Sequence, residues 1–354
     1  EAYIPERFSL EIPSDNGLQL TKRNELRHAV GIVAARTLRY FSTNGEGFNV
    51  FRARRMAVWW LRHIYNSFNW WKAYVVNAEG ERKEMPMLYI GERFGSETVR
   101  EDCEADIVLS AFENDRSIVD PESDGGAVFA VGYSERKGLF NSPDMYCVKA
   151  ITGNKYKGAG INITHGITKN LKLMAEKVIK DKNEDVSSQN IDDEIRKMKI
   201  VVLDRLRHKK LIETIKNLGA EVILVKEDDL TPTFAIARDE IDMIIGVGGV
   251  PEAVLSGIIV AQLGGEMTLR VLPYGVATEE HVLGKLKHWN SFKKDEIDIL
   301  KNFKIVKPGT EKEAEMPWDR VLTLNDLVKG KDLVFTASVI KKTSWIKLPD
   351  GKEI

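Results

Sequence analysis

The sequence predicts a two-domain chain, an α+β domain followed by an α/β domain, and three observations carry that expectation. Two stretches with helical apolar spacing open the chain and lead into short β-rich runs. A strongly charged segment, Asp181–Lys197, then breaks the pattern. Beyond it, strand-length and helix-length apolar stretches alternate, as in βαβ units. A chain of 354 residues ordinarily divides into two such cores.

Taken in order, residues 1–23 carry Pro5 and Pro13 without a clear period and read as an extended arm suited to lying on a neighbouring chain. The first domain, 24–180, begins with helices over Glu25–Phe41 and Phe51–Phe68, joined by the Gly-containing turn Ser42–Asn49. Ala73–Val76, Met87–Ile90, Ile107–Leu109 and Ala127–Val131 follow as short strands of a largely antiparallel sheet. Residues 181–198 form a charged linker or an exposed helix. The second domain, 199–345, starts with strand Lys199–Leu203, helix His208–Leu218 and strand Glu221–Val225. Helix Asp229–Arg238, strand Asp242–Gly246 and helix Pro251–Leu263 continue it, which predicts a parallel sheet. Ligands in such sheets sit at the carboxyl ends of strands, so chemistry is expected at Asp204–Arg207, Lys226–Asp229 and Gly246–Glu252.

Composition removes several classes of function. With 52 Lys+Arg against 53 Asp+Glu the formal charge is −1, so no broad polybasic surface exists and nucleic acid is not indicated as a partner. The apolar runs are too short and too interrupted for a spanning helix. Cys103 and Cys147 are too few for a disulfide framework, and neither has the spacing to a His pair that zinc needs. The chain starts at Glu1, which fits a removed leader and a trimmed chain equally. Trp59, Trp60, Trp70 and Trp71 are two adjacent pairs that cannot all point inward, so an exposed aromatic patch for a protein partner is expected, with Arg52, Arg54, Arg55 and Arg62 beside it.

Gly246-Val-Gly248-Gly249-Val-Pro251-Glu252 follows an apolar strand and opens a helix, leaving room for a sugar or phosphate at the backbone. On its own this turn is a weak signal. Together with Glu79-Gly80-Glu81, Glu84-Met-Pro86-Met-Leu-Tyr89-Ile-Gly91-Glu92, Asn141-Ser-Pro143-Asp144-Met145-Tyr146 and Arg207-His208, in that order, the chain resembles the class II fructose-1,6-bisphosphatase family, which includes sedoheptulose-1,7-bisphosphatases. The resemblance implies a sugar-phosphatase fold like that of the lithium-sensitive phosphatases. It also implies hydrolysis of the 1-phosphate of fructose 1,6-bisphosphate with Mg²⁺ or Mn²⁺ held by carboxylates. Carried across by position, Glu79, Glu113 and Glu252 match metal-binding acids, and Tyr146, Arg207, Asp229 and Gly249 match sugar-phosphate contacts.

The departures from the family pattern set the expectation. The bridging aspartate is replaced by Ser110, the Gly-Thr pair by Asn114-Asp115, and a loop aspartate by Arg52, which is expected to pair with Glu79 or Glu113. Glu227-Asp228-Asp229 replaces Asp-Gly-Asp and adds negative charge near the phosphate pocket. Asp120-Pro121-Glu122-Ser123-Asp124-Gly125 imitates the lost motif but reads as a turn. On these grounds the sequence reading is a pseudoenzyme without catalytic metal or cofactor. It would be retained as a structural subunit of a larger assembly in a mitochondrion or plastid, with the cytoplasm as alternative location. Two alternatives stand beside it: an active metal-dependent bisphosphatase with an altered metal site, and a non-hydrolysing sugar-phosphate sensor.

Overall fold

A computed structural model describes residues 7–11, 20–43, 50–78, 87–95, 104–114, 126–142, 144–272, 304–306, 313–315, 320–341 and 344–346. In chain order, the elements of the first half are β1 (Arg7–Glu11), α1 (Leu20–Thr43), α2 (Val50–Asn66), β2 (Lys72–Ala78), β3 (Arg93–Gly95), β4 (Glu104–Glu113) and β5 (Ala127–Glu135). There follow β6 (Tyr146–Thr152), α3 (Gly166–Asp181), α4 (Ser188–Arg196), β7 (Lys199–Leu203), α5 (Lys209–Asn217), β8 (Glu221–Val225), α6 (Pro232–Ala237), β9 (Met243–Gly249) and α7 (Val250–Leu263). The remainder is β10 (Glu266–Leu272), β11 (Lys304–Val306), β12 (Glu313–Glu315), β13 (Leu322–Thr323), α8 (Leu324–Leu327) and β14 (Val334–Lys341).

The chain forms two compact units. The first contains Glu1–Asp144, Ile305–Ala314 and Val328–Ile354. Its sheet has the order β1-β14-β5-β4-β2-β3, antiparallel except for the parallel pair β2 and β4. The helices form as the 3.6-residue period predicts. On α1, Leu26, Val30, Val33 and Thr37 line a buried stripe. Leu26, Val30 and Val33 meet Ala57, Leu61 and Tyr65 of α2 and Ile107, Phe129 and Val131 of the sheet in one core.

Three expectations change here. The arm 1–23 was expected on another chain, but its residues Arg7–Glu11 pair antiparallel with β14 of the same chain, Arg7 opposite Ser338 and Glu11 opposite Val334. An edge strand finds its own sheet when a neighbouring strand offers unpaired backbone groups. The tryptophans also divide. Trp71 is 1% exposed inside the core and donates its indole N–H to the Tyr65 carbonyl at 3.2 Å, while Trp60 and Trp70 pack against the core from its margin. Only Trp59 of the four stands out, at 53% exposed. Finally, the division between units falls at Asp144 and Met145 and not within 181–198. That charged stretch ends α3 and supplies the exposed helix α4, capped by the Ser187 hydroxyl accepting from the Asn190 N–H.

The second unit contains Met145–Lys304 and Glu315–Leu327. Its sheet runs β13-β10-β6-β9-β7-β8. The βαβ strands β8, β7 and β9 are parallel as the alternation predicts, but β6, β10 and β13 join antiparallel, so the sheet is mixed. Ile200, Val201 and Val202 are all buried, which requires cover on both faces. Leu171, Met174, Leu211 and Ile215 from α3 and α5 cover one of them. Helix α7 is apolar all round, and Val250 through Val260 are buried.

Candidate functional site

In the second unit, the sequence-predicted residues converge at the ends of β6 and β9. Register places Tyr146 opposite Gly249 and Cys147 opposite Gly248. Gly249 caps α7 and Glu252 lies in its first turn, beside the positive helix end and 7% exposed. The two glycines are required by close approach. A Cβ at Gly248 would collide with the Asp229 carboxylate, and one at Gly249 with that of Glu252. Arg207, at the carboxyl end of β7, lies over the Tyr146 ring at 5.5 Å, and its terminal nitrogen donates to the Val247 carbonyl at 3.0 Å. A guanidinium fixed in this way presents its fork without further ordering cost.

Lys149, which sequence reasoning passed over, organises this end of the sheet together with His208 and Asp228, whose contacts it did not foresee. Lys149, 2% exposed on β6, forms a buried ion pair with Asp229 at 2.6 Å. Burial alone would lower the ammonium, but the charge of Asp229, with smaller contributions from Cys147 and Glu252, raises it instead. A lone lysine inside the apolar run of β6 was the signal available. His208 is fully buried. Its Nε2 accepts from the Val247 N–H at 2.9 Å, so Nδ1 carries the proton and donates to the Leu203 carbonyl at 2.6 Å. Burial and the neighbouring Arg207 lower His208 to about 4, so the ring is neutral at pH 7. Asp228 was expected to add charge near the phosphate pocket. The structure turns it inward to accept from the Thr231 N–H at 2.9 Å and from the Thr231 hydroxyl, opening α6, and burial pushes it up to about 6. Cys147, a free thiol, is pushed up to about 12 by burial and is no nucleophile at neutral pH.

In the first unit, the Ser110 hydroxyl donates to the Glu113 carboxylate at 3.1 Å, both buried. Asn114 follows in the left-handed region at φ 59° and donates to the Gly126 carbonyl at 2.9 Å, which supplies the turn that the missing Gly-Thr pair would have made. Arg52 does not enter a buried acidic cavity. It is exposed and borders a surface cavity of about 420 Å³ with Arg55, Met56 and Trp59, because its position on α2 faces away from the core. Glu79, Asp115 and Asp120–Gly125 lie outside the described residues.

Among the described residues no three His, Cys, Asp or Glu side chains group closely enough to hold a metal ion. Within the first unit, the donors present are the Glu113 carboxylate and the adjacent Ser110 hydroxyl, both oxygen. That set suits Mg²⁺ or Mn²⁺, since Mg²⁺ takes one or two carboxylates and fills its remaining positions with water and phosphate oxygens. The residues therefore fit such an ion in kind.

The description of bacterial, glpX-encoded fructose-1,6-bisphosphatases matches residues 29–350. The chain belongs to this family. Its fold of two sheets with helices is accordingly the sugar-phosphatase fold. A D-fructose 1,6-bisphosphatase class 2/sedoheptulose 1,7-bisphosphatase from Crocosphaera subtropica is 29% identical over 297 residues, covering 80% of this chain and 76% of that protein. One of the same description from Synechocystis sp. is 29% identical with the same coverage, 80% and 76%. A Fructose-1,6-bisphosphatase class 2 from Haemophilus influenzae is 28% identical over 294 residues, or 81% of this chain and 76% of that protein.

These relatives overturn the reading of an inactive structural subunit. They carry enzyme names, and they match across most of their own length. The relatives are cyanobacterial and bacterial, and none of them supports the expected organelle. No helix among the described residues is long and apolar enough to cross a membrane.

Proposed function

We propose that the chain is an active, metal-dependent sugar bisphosphatase, hydrolysing a phosphate of fructose 1,6-bisphosphate or sedoheptulose 1,7-bisphosphate. The observation that carries this reading is the family match over residues 29–350, with relatives named for those activities across three quarters of their length. By the sequence resemblance Glu79, Glu113 and Glu252 match positions that hold Mg²⁺ or Mn²⁺ in the family, and Glu113 with its neighbour Ser110 offers oxygen donors of the right kind. When bound, the ion makes a coordinated water more acidic and cancels charge on phosphoryl oxygens.

The chain's own residues do the binding. The fixed guanidinium of Arg207 pairs with a phosphate, and Gly248 and Gly249 leave room for the Asp229 and Glu252 carboxylates to lie against the backbone. Tyr146 is held beside Arg207 and offers its hydroxyl to the sugar. Lys149 cancels the charge of Asp229, so this end of the sheet does not repel a dianionic phosphate as strongly as its acids alone would. The exposed Trp59, with Arg52 and Arg55, supports a protein contact on α2 alongside catalysis.

The test is phosphate release from each bisphosphate with Mg²⁺ or Mn²⁺ added. Release that depends on the ion and falls about 100-fold in Glu252→Gln, with melting temperature retained, supports the reading. Absence of release from both substrates with either ion sinks it, and binding without release assigns the chain to the sensor alternative.

A further inference from the structure

The end of β6 opposite Tyr146 borders a second cavity, of about 560 Å³, within the second unit. Tyr146 and Thr152 are six residues apart on one strand, roughly 20 Å at strand rise, so this cavity is separate from the candidate phosphatase site. Its floor is one face of the sheet. Register sets Thr152 opposite Glu266 and Ala150 opposite Thr268, and Thr268 opposite Thr323 on the next strand, and directly opposed residues share a face. A row of hydroxyls and a carboxylate therefore stands where a covered sheet face is ordinarily apolar. Thr152 is 0% exposed, and neither its hydroxyl nor that of Thr268 finds a hydrogen-bond partner among the described residues. A buried hydroxyl without a partner costs free energy, which a ligand hydroxyl would recover.

The loop over this floor defines the ligand. Gly158 and Gly160, at φ 79° and 76°, each turn a bare backbone edge toward open space. The Gly158 N–H already donates to Glu266 at 3.1 Å, so the loop is not an open nest of amides for an anion. Lys157 and Glu266 are the two charged residues lining the cavity, and they balance. The chemistry thus asks for groups that both donate and accept without carrying net charge, on a molecule small enough for the space. We propose that this cavity binds a neutral polyhydroxylated small molecule, a sugar or a polyol.

The experiment is isothermal titration of the full chain, without divalent ion, using D-glucitol and unphosphorylated D-fructose, with inorganic phosphate and adenosine as comparators. Omitting the ion keeps the outcome independent of whether the chain hydrolyses bisphosphates. Saturable binding of D-glucitol or D-fructose is expected, weakened about tenfold by Thr152→Val and by Glu266→Gln, the loss typical of one hydrogen bond. Thr152→Val keeps the shape of the side chain, and Glu266→Gln, on a partly exposed residue, serves if the first variant fails to fold. No saturable heat with either polyol, tighter binding of phosphate or adenosine, or parent-like affinity in both variants overturns the proposal.

Discussion

A histidine that must stay neutral links folding to acidity, and His208 is such a residue. Both ring nitrogens are committed, one donating to Leu203 and the other accepting from Val247, and a second proton on Nε2 would break the latter bond. Its folded value of about 4 lies below the ordinary histidine value, so protons favour the unfolded chain. The stability it supplies is complete above about pH 6.5 and is lost as pH falls toward 4, up to about 3 kcal/mol. Urea midpoints of the parent chain should drop over that window more steeply than those of His208→Asn, and parallel curves would refute the assignment. Asp228 has the opposite sign. Its folded value is raised to about 6, so its contribution is greatest in acid and fades as pH rises through 6. For the buried pair, Asp229→Ala leaves the Lys149 ammonium without its counter-charge and should cost about 3–5 kcal/mol, while Asp229→Ala combined with Lys149→Met should recover part of it. Equal stability of the single and double variants would show that the pair is not coupled. Ser110→Asp returns a carboxylate beside Glu113. It should lower the Mn²⁺ concentration for half-maximal phosphate release by about tenfold. The same change should cost about 1–3 kcal/mol without the ion, because the position is fully buried. An unchanged Mn²⁺ requirement would remove Ser110 from the metal site.

At the scale of elements, the tryptophans of α2 and its following loop give a direct contrast. Trp71 fills the first core against Tyr65 and Phe68, and Trp71→Ala should cost about 3–5 kcal/mol by urea denaturation. Trp59→Ala, on an exposed ring stacked on His63, should change stability by about 0.5 kcal/mol or less. Equal losses would mean that the packing is described wrongly. Helices α1, α2, α5, α6 and α7 and the βαβ strands were legible because a period of 3.6 or a bounded apolar run is local, written in the residues that form the element, whereas α3 was not read. The membership of β6 in the second sheet and the pairing of β1 with β14 were not. Both depend on which distant strand offers a free edge, and no local pattern carries that. The site divides in the same way. Glu113, Glu252, Tyr146, Arg207 and Gly249 were singled out by motif order, and the last four lie at the ends of β6, β7 and β9 in the second unit. The ion pair of Lys149 and the bond from the Val247 N–H to His208 exist only as contacts between separate elements, whereas the inward turn of Asp228 is a local bond to Thr231 that residue type alone did not reveal. Arg52 misled because residue type was readable and direction was not.

The whole molecule is threaded so that neither unit is one continuous stretch of chain. In the first, β14 lies between β1 and β5, paired to both, although it comes from residues 334–341. A chain ending at Leu327 should therefore lose the first core, with the emission of Trp71 shifting toward that of a solvated indole, while hydrogen exchange remains slow in β6, β7 and β9. Retained native emission would show that β14 is dispensable. The same threading orders events on the ribosome. By the time residue 272 has emerged, β6 to β10 of the second unit are all available to pair. The first unit, made earliest, still waits for its internal strand. Nascent chains generally fold from the N-terminus forward. Here β6 to β10 can pair before the first unit is complete, and the edge of β5 that β14 covers stays unpaired until residues 334–341 emerge, leaving the unfinished chain open to edge-to-edge pairing.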